Sequence, residues 1–221
     1  MEIIHSKFPG FQKASVDEAF IDVTEKVFDL MQQDKIEFNN QNEPLVKWSK
    51  QYETCVLNIP ANGGDNTSNQ DDRLVQDSSG WKDLQLFYAS IISKQLRKEI
   101  WDQLGYTSST GIAHNKTLAK LISSTNKPNK QTCLLDSFTM EYMKTTKLSK
   151  IRGMGGKFGD KLIEEFMVEM ASDLWPKSLE SLQKALGVEE GTFLIYSQKT
   201  CTYAFQVNGP MKYVGEFVAT Q

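Results

Sequence analysis

Between residues 107 and 135 the hydrophobic period of the chain changes twice. Thr107 to Ala113 reads as a short strand. Residues 115–124 then carry Leu118, Leu121 and Ile122 at helical spacing behind Asn115, a good N-cap. Asn126-Lys-Pro-Asn129 stops that helix, and Thr132 to Leu135 returns to a strand. Ahead of this block lies the longest periodic segment, Trp81 to Leu104. Leu84, Tyr88, Ile92, Leu96, Ile100 and Leu104 recur on one face, and Gly105 follows as a stop. Residues 13–23 read as a further strand and 24–34 as a helix, with Thr24 as N-cap and Val27, Phe28, Leu30 and Met31 turned inward. Beyond 135 only helical patterns remain, at 137–145, 160–170 and 178–186. This order predicts an α/β layer followed by a small all-α domain, with a boundary near residue 135.

The remaining segments are less regular. Ile3, Ile4 and Phe8 fit the end of an apolar helix face, and Pro9-Gly10 is a turn. Residues 36–80 are rich in Asn, Gln, Asp, Ser and Gly, and read as a flexible insertion. So few apolar side chains cannot offset the entropy of ordering them. Cys55, Cys133 and Cys201 are far apart and odd in number, which argues against a disulfide scaffold or a paired-cysteine zinc site and fits a reducing compartment. No apolar run is long enough to predict a membrane helix, and residues 1–5 do not resemble a signal peptide.

Charge is segregated. The net charge of −3 would argue against a nucleic-acid partner. Residues 17–80, however, carry 13 acidic and 5 basic side chains, for a net of −8. Residues 112–161 carry 10 basic and 3 acidic, for a net of +7. Opposite blocks in one chain suggest separate tasks, although a solvated face would give the same count.

Three short motifs carry chemistry. Asp17 and Glu18 are adjacent carboxylates in an apolar strand. They are hard oxygen donors suited to Mg²⁺, or are simply exposed polar residues. Neighbours on a straight strand face opposite ways, so both serve one site only if the chain turns there. Lys116 and Lys120 share a helix face, and Lys127 follows in the Lys-Pro-Asn turn. Such lysines hold a triphosphate by point charge, or are a solvated face. His114 has no second histidine nearby and reads as a local hydrogen-bonding residue. The sharpest motif is Ile151-Arg-Gly-Met-Gly-Gly-Lys-Phe-Gly159. Gly153, Gly155 and Gly156 allow a tight turn with outward N–H groups at the start of a helix. Arg152, Lys157 and Lys161 ring it with charge, and Ile151 and Ile163 are expected to pin the flanking helices. This is a helix-hairpin-helix pattern suited to nucleic-acid backbone.

Three segments in this order resemble the Y-family translesion DNA polymerases. They are Ala14-Ser-Val-Asp-Glu-Ala-Phe-Ile-Asp-Val23, Gly111-Ile-Ala-His-Asn-Lys-Thr-Leu-Ala-Lys120 with Asn126-Lys-Pro-Asn-Lys-Gln-Thr132, and the glycine hairpin. The resemblance runs over about residues 1–194. It implies an α+β palm with a mixed sheet over 1–134 and an all-α thumb with the helix-hairpin-helix over 135–194. Residues 195–221 match no pattern of the family. It further implies that Asp17 and Glu18 are catalytic and bind two Mg²⁺ ions, with Mn²⁺ as a substitute, and that Lys127 contacts the incoming triphosphate with Lys120 close by. Arg152, Gly153, Gly155, Gly156, Lys157 and Lys161 would grip DNA. The implied partners are primer-template DNA and deoxynucleoside triphosphates, with a sliding clamp reached through regions outside this chain, no membrane, and a nuclear location. The family begins with a strand bearing another metal-binding aspartate and with a fingers domain. Met1 aligns after both, so the expectation is a fragment with no activity alone. A non-catalytic, sequence-independent DNA-binding module is the alternative.

Overall fold

Gly111 sets the spacing of the central layer. A Cβ at this position would lie 2.0 Å from the Ala119 carbonyl oxygen, so only glycine lets the helix over 116–123 lie directly on the strand beneath it. The computed structural model describes residues 1–33, 53–57, 80–191 and 214–220. The chain divides into two compact units, one of residues 1–137 and 211–221, the other of 138–210.

The first unit is built on a six-stranded sheet. Its strands are β1 (Gln12–Lys13), β2 (Glu18–Asp22), β3 (Thr54–Leu57), β4 (Thr107–Ala113), β5 (Gln131–Leu134) and β6 (Val214–Thr220), in the order β1-β2-β6-β4-β5-β3. β6 runs antiparallel to both β2 and β4, whereas β4, β5 and β3 are mutually parallel, so the sheet is mixed. The helices are α1 (Glu2–Lys7), α2 (Thr24–Gln33), α3 (Gly80–Leu104), α4 (Lys116–Ser123) and the first two residues of α5 (Asp136–Lys144).

The sequence reading needs several corrections here. The strand expected over 13–23 is a hairpin of two short strands, β1 and β2. Most of the insertion expected over 36–80 lies outside the described residues. Thr54–Leu57 within it nevertheless forms β3, paired in register with Gln131 to Leu134. Within the segment that matched no pattern, Val214–Thr220 pairs mid-sheet. The first turn of α2 is held by Asp22, whose Oδ1 accepts from the Thr24 N–H at 3.0 Å and the Thr24 hydroxyl at 2.6 Å. On α2 the periodic stripe buries Val27 and Met31 but leaves Phe28 39% exposed. On α3 it buries Tyr88, Ile92, Leu96 and Ile100 but leaves Leu104 50% exposed. The long α3 stops at Gly105 (φ 70°), whose N–H returns to the Trp101 carbonyl.

Polar side chains stitch the interior. Gln131 donates to the Thr54 hydroxyl at 2.7 Å and the Ser90 carbonyl at 3.0 Å, tying β5 to β3 and α3. Arg97 on α3 donates to the Ser108 carbonyl at 2.9 Å and to Asn129 at 2.6 Å, which fixes the loop after α4. Asp83 is buried and caps the start of α5. It accepts from the Asp136 N–H at 2.7 Å and the Ser137 hydroxyl at 2.8 Å. Burial pushes its pKa up to about 6, against the opposing effect of those hydrogen bonds. His114 is buried 3.9 Å from Asp136, and burial pushes its pKa down to about 4. Cys133 is fully buried and its thiol is pushed well up for the same reason.

The second unit has a small core of Met143, Leu148, Ile151, Met154, Leu162, Val168, Leu174, Leu182 and Leu186. Its helices are the rest of α5, α6 (Gly156–Phe166) and α7 (Leu179–Leu186), with 3-10 turns at Leu148–Lys150 and Ala171–Leu174. Leu148 N–H donates to the Glu169 carbonyl and Ala171 N–H to the Thr146 carbonyl, both at 2.9 Å, closing the loop around α6.

Candidate active site and backbone-binding hairpin

The β1–β2 hairpin turns at Ser15-Val-Asp17, and this resolves how two adjacent carboxylates can share a site. Ala14 and Ser15 N–H groups both donate to the Glu18 carbonyl, at 2.9 and 3.2 Å. Asp17 is therefore in the turn and Glu18 is the first residue of β2. Alternation along a strand does not apply across such a corner. Val16 is 87% exposed at the tip, so the turn projects from the sheet. The Ser15 hydroxyl donates to Asp17 Oδ1 at 2.7 Å. This bond holds the exposed Asp17 carboxyl below its ordinary pKa, helped by the charges of Lys127 and Lys120. Asp17 is thus an ionised, oriented oxygen donor at neutral pH.

The facing wall is α4. Asn115 caps it by accepting from the Leu118 N–H at 2.8 Å, and Leu118, Ala119, Leu121 and Ile122 are buried beneath it. With that face fixed on β4, Lys116 and Lys120 point along the opposite side toward the hairpin. Lys116 donates to Gln12 Oε1 and lies 5.9 Å from the Phe20 ring. Lys120 Nζ meets Glu18 Oε1 at 2.5 Å, with both side chains part-buried. Lys127 follows α4 ahead of a cis peptide to Pro128, close enough for its charge to act on Asp17. Asp17, Glu18, Lys120 and Lys127 are thereby brought together within the first unit. Ser15 and Gln12 escaped the sequence reading. A Ser two residues before Asp is a local hydrogen-bonding pattern that could have signalled the first, whereas Gln12 has no such signal.

In the second unit the glycine hairpin is built from backbone constraints. Gly153 (φ 85°) and Gly156 (φ 60°) are in the left-handed region. Gly155 is the extended N-cap of α6. A Cβ on Gly159 would lie 2.4 Å from the Met154 carbonyl oxygen, so α6 folds back tightly on the turn. Arg152, Lys157 and Lys161 are exposed around it. Two expectations change. The element before the turn is the 3-10 turn Leu148–Lys150 and not a full helix. Ile151 is buried, but on α6 the buried residue is Leu162, while Ile163 is 47% exposed. Leu162 lies three residues after Gly159, whose close approach to the Met154 carbonyl sets the inward face of α6, and α6 itself starts at Gly156, earlier than the periodicity indicated.

This combination, a mixed sheet with an acidic hairpin facing a lysine helix and a small helical unit carrying a glycine hairpin, has known relatives. Residues 1–124 match the impB/mucB/samB family, and residues 147–197 match the helix-hairpin-helix motif of DNA polymerase eta and Rev1. The chain belongs to the impB/mucB/samB family. It is 34% identical over 201 residues to the N-acetyltransferase eso1 of Schizosaccharomyces pombe, an alignment covering 86% of this chain and 22% of that protein. It is 33% identical over 200 residues to DNA polymerase eta of Drosophila melanogaster, covering 83% and 22%. It is 29% identical over 188 residues to DNA polymerase iota of Mus musculus, covering 85% and 23%. The chain therefore spans under a quarter of the length of these relatives.

Proposed function

We propose that this chain carries the catalytic hairpin and the thumb of a nuclear translesion DNA polymerase that extends a primer past damaged template with deoxynucleoside triphosphates. The observation that carries this reading is the hairpin turn that brings Asp17 and Glu18 together opposite Lys120 and Lys127. Asp17 and Glu18 fit a hard divalent cation, since both offer carboxylate oxygens and Asp17 is held ionised by Ser15. When bound, Mg²⁺ or Mn²⁺ lowers the pKa of the primer hydroxyl and neutralises the leaving pyrophosphate. The chain's own part is positional and electrostatic. Lys127 and Lys120 hold triphosphate oxygens by point charge; α4 keeps Lys120 in place through its buried face, and Arg97 bonded to Asn129 fixes the loop that carries Lys127. Among the described residues, no group of three or more His, Cys, Asp or Glu gathers as a metal site. Two carboxylates leave much of the coordination shell to water and phosphate, so little primer extension is expected from the 221-residue chain by itself. In the thumb, Gly153, Gly155, Gly156, Arg152, Lys157 and Lys161 form a turn suited to DNA phosphates, read without regard to sequence.

The test is a chimera in which this chain replaces the matching segment of the Drosophila polymerase eta relative. Mg²⁺-dependent extension on a lesion template is expected, and Asp17→Ala should lower it at least about a hundredfold. A chimera that stays fully active with Asp17→Ala would overturn the assignment. The second reading is a non-catalytic DNA-binding module, favoured by the Glu18–Lys120 pair, in which Glu18 already has a cationic partner. It requires salt-sensitive duplex binding by the chain that Asp17→Ala does not touch.

A further inference from the structure

We propose that Lys120 is a placeholder cation: its ammonium holds Glu18 until a metal–nucleotide complex arrives, then moves to the triphosphate. Metal alone is thereby disfavoured and metal–nucleotide favoured. This rests on the reading of Asp17 and Glu18 as metal ligands. The two carboxylates are held differently. Asp17 is exposed in the turn and accepts from the uncharged Ser15 hydroxyl, with Lys127 and Lys120 acting on it through their charge. Glu18 is part-buried and in direct contact with Lys120 at 2.5 Å. An ammonium and a divalent ion compete for the same carboxylate oxygen, and each repels the other at this range. For a metal to use Glu18 fully, Lys120 must leave.

The fold lets the side chain move while its backbone stays. Ala119, the preceding residue, is packed against Gly111 so closely that no Cβ fits between them. Asn115 caps the same helix, and Leu121 and Ile122 anchor its far end. Lysine itself is a point charge on a flexible four-carbon stem, without the fixed fork that would lock arginine to one carboxylate. A bare divalent ion brings only positive charge, which Lys120 opposes. A nucleotide brings several negative charges with the metal, which gives the ammonium a better partner than Glu18. The same residue therefore acts with opposite sign in the two cases.

The experiment measures Mn²⁺ binding to the 221-residue chain by the loss of the free-ion electron paramagnetic resonance signal, with and without a non-hydrolysable α,β-imido deoxynucleoside triphosphate. Lys120→Met should tighten Mn²⁺ alone about tenfold and weaken Mn²⁺ with nucleotide by a similar factor. Lys120→Arg should keep Mn²⁺ alone as weak as in the wild type, because the charge is retained. Lys116→Met, one turn earlier on α4 and bonded to Gln12, should leave Mn²⁺ alone unchanged and reports whether loss of any nearby charge suffices. A Lys120→Met protein that binds more weakly in both conditions, or an equal tightening with Lys116→Met, would overturn the placeholder role while leaving the metal site in place. Wild-type protein that takes up no Mn²⁺ in either condition would overturn the metal-site reading itself.

Discussion

Two separately buried groups, Asp83 and His114, give the first unit opposite pH responses that nearly cancel. Asp83 in the folded protein has its pKa raised to about 6 from 3.8, so folding binds a proton more tightly than the unfolded chain does. Its effect is an increase in stability as pH falls from above 6 to below 3.8. His114 has its pKa lowered to about 4 from 6.5, so the folded state resists protonation. Its effect is a loss of stability as pH falls over nearly the same window. At about 1.4 kcal/mol per pKa unit, Asp83 contributes a gain of about 3 kcal/mol and His114 a loss of about 3 kcal/mol between pH 7 and 4. Both are almost fully buried, at 2% and 5% exposure, so solvent screening leaves these magnitudes largely intact. Asp136 acts on both groups, and Lys82, 3.1 Å from Asp136, acts on His114 as well. Asp83→Asn removes the gain while its amide oxygen can still accept the Asp136 N–H. Its stability should therefore fall about 3 kcal/mol further than that of the wild type between pH 7 and 4. His114→Gln should do the reverse and become more stable on acidification relative to the wild type. Urea denaturation followed by tryptophan fluorescence measures this, in a Trp175→Phe background so that the remaining tryptophans, Trp48, Trp81 and Trp101, belong to the first unit. Identical pH slopes for all three proteins would refute the reasoning.

Gly111→Ala forces a Cβ to 2.0 Å from the Ala119 oxygen and should cost about 3 kcal/mol or more, whereas Gly10→Ala, with nothing within 4 Å, should stay within about 0.5 kcal/mol; thermal denaturation compares them. Asn115→Ala removes the cap of α4 and should cost about 1 kcal/mol, read by the same melt. Lys157→Ala should weaken duplex binding at every sequence alike and lower the slope of log K against log salt by about 1, measured by fluorescence anisotropy.

Elements with their own period were legible. Leu118, Leu121 and Ile122 predict α4, and Tyr88 to Ile100 predict α3, because spacing alone puts them on one face. Where a stripe ends was not, as Phe28, Leu104 and Ile163 show, because exposure there depends on neighbours that spacing does not encode. Buried polar groups such as Asp83 and Gln131 were equally hidden, since their partners lie far along the chain. The candidate site was half-visible. Asp17, Glu18, Lys120 and Lys127 stood out by type, but whether the two carboxylates face one way depends on a turn that the dipeptide does not specify.

The place of β6 governs when the sheet can exist at all. β2 and β4 do not pair with each other, because Val214–Thr220 lies between them and bonds to both. On a ribosome, residues 12–22 and 107–134 emerge long before that strand, with the whole 138–210 unit still to come. Until then β2 and β4 each present an open edge, which is where nascent chains pair wrongly. β6, made after both of its partners, thus closes the sheet of the first unit, and the acidic hairpin on β2 gains its place in a continuous sheet only at that moment.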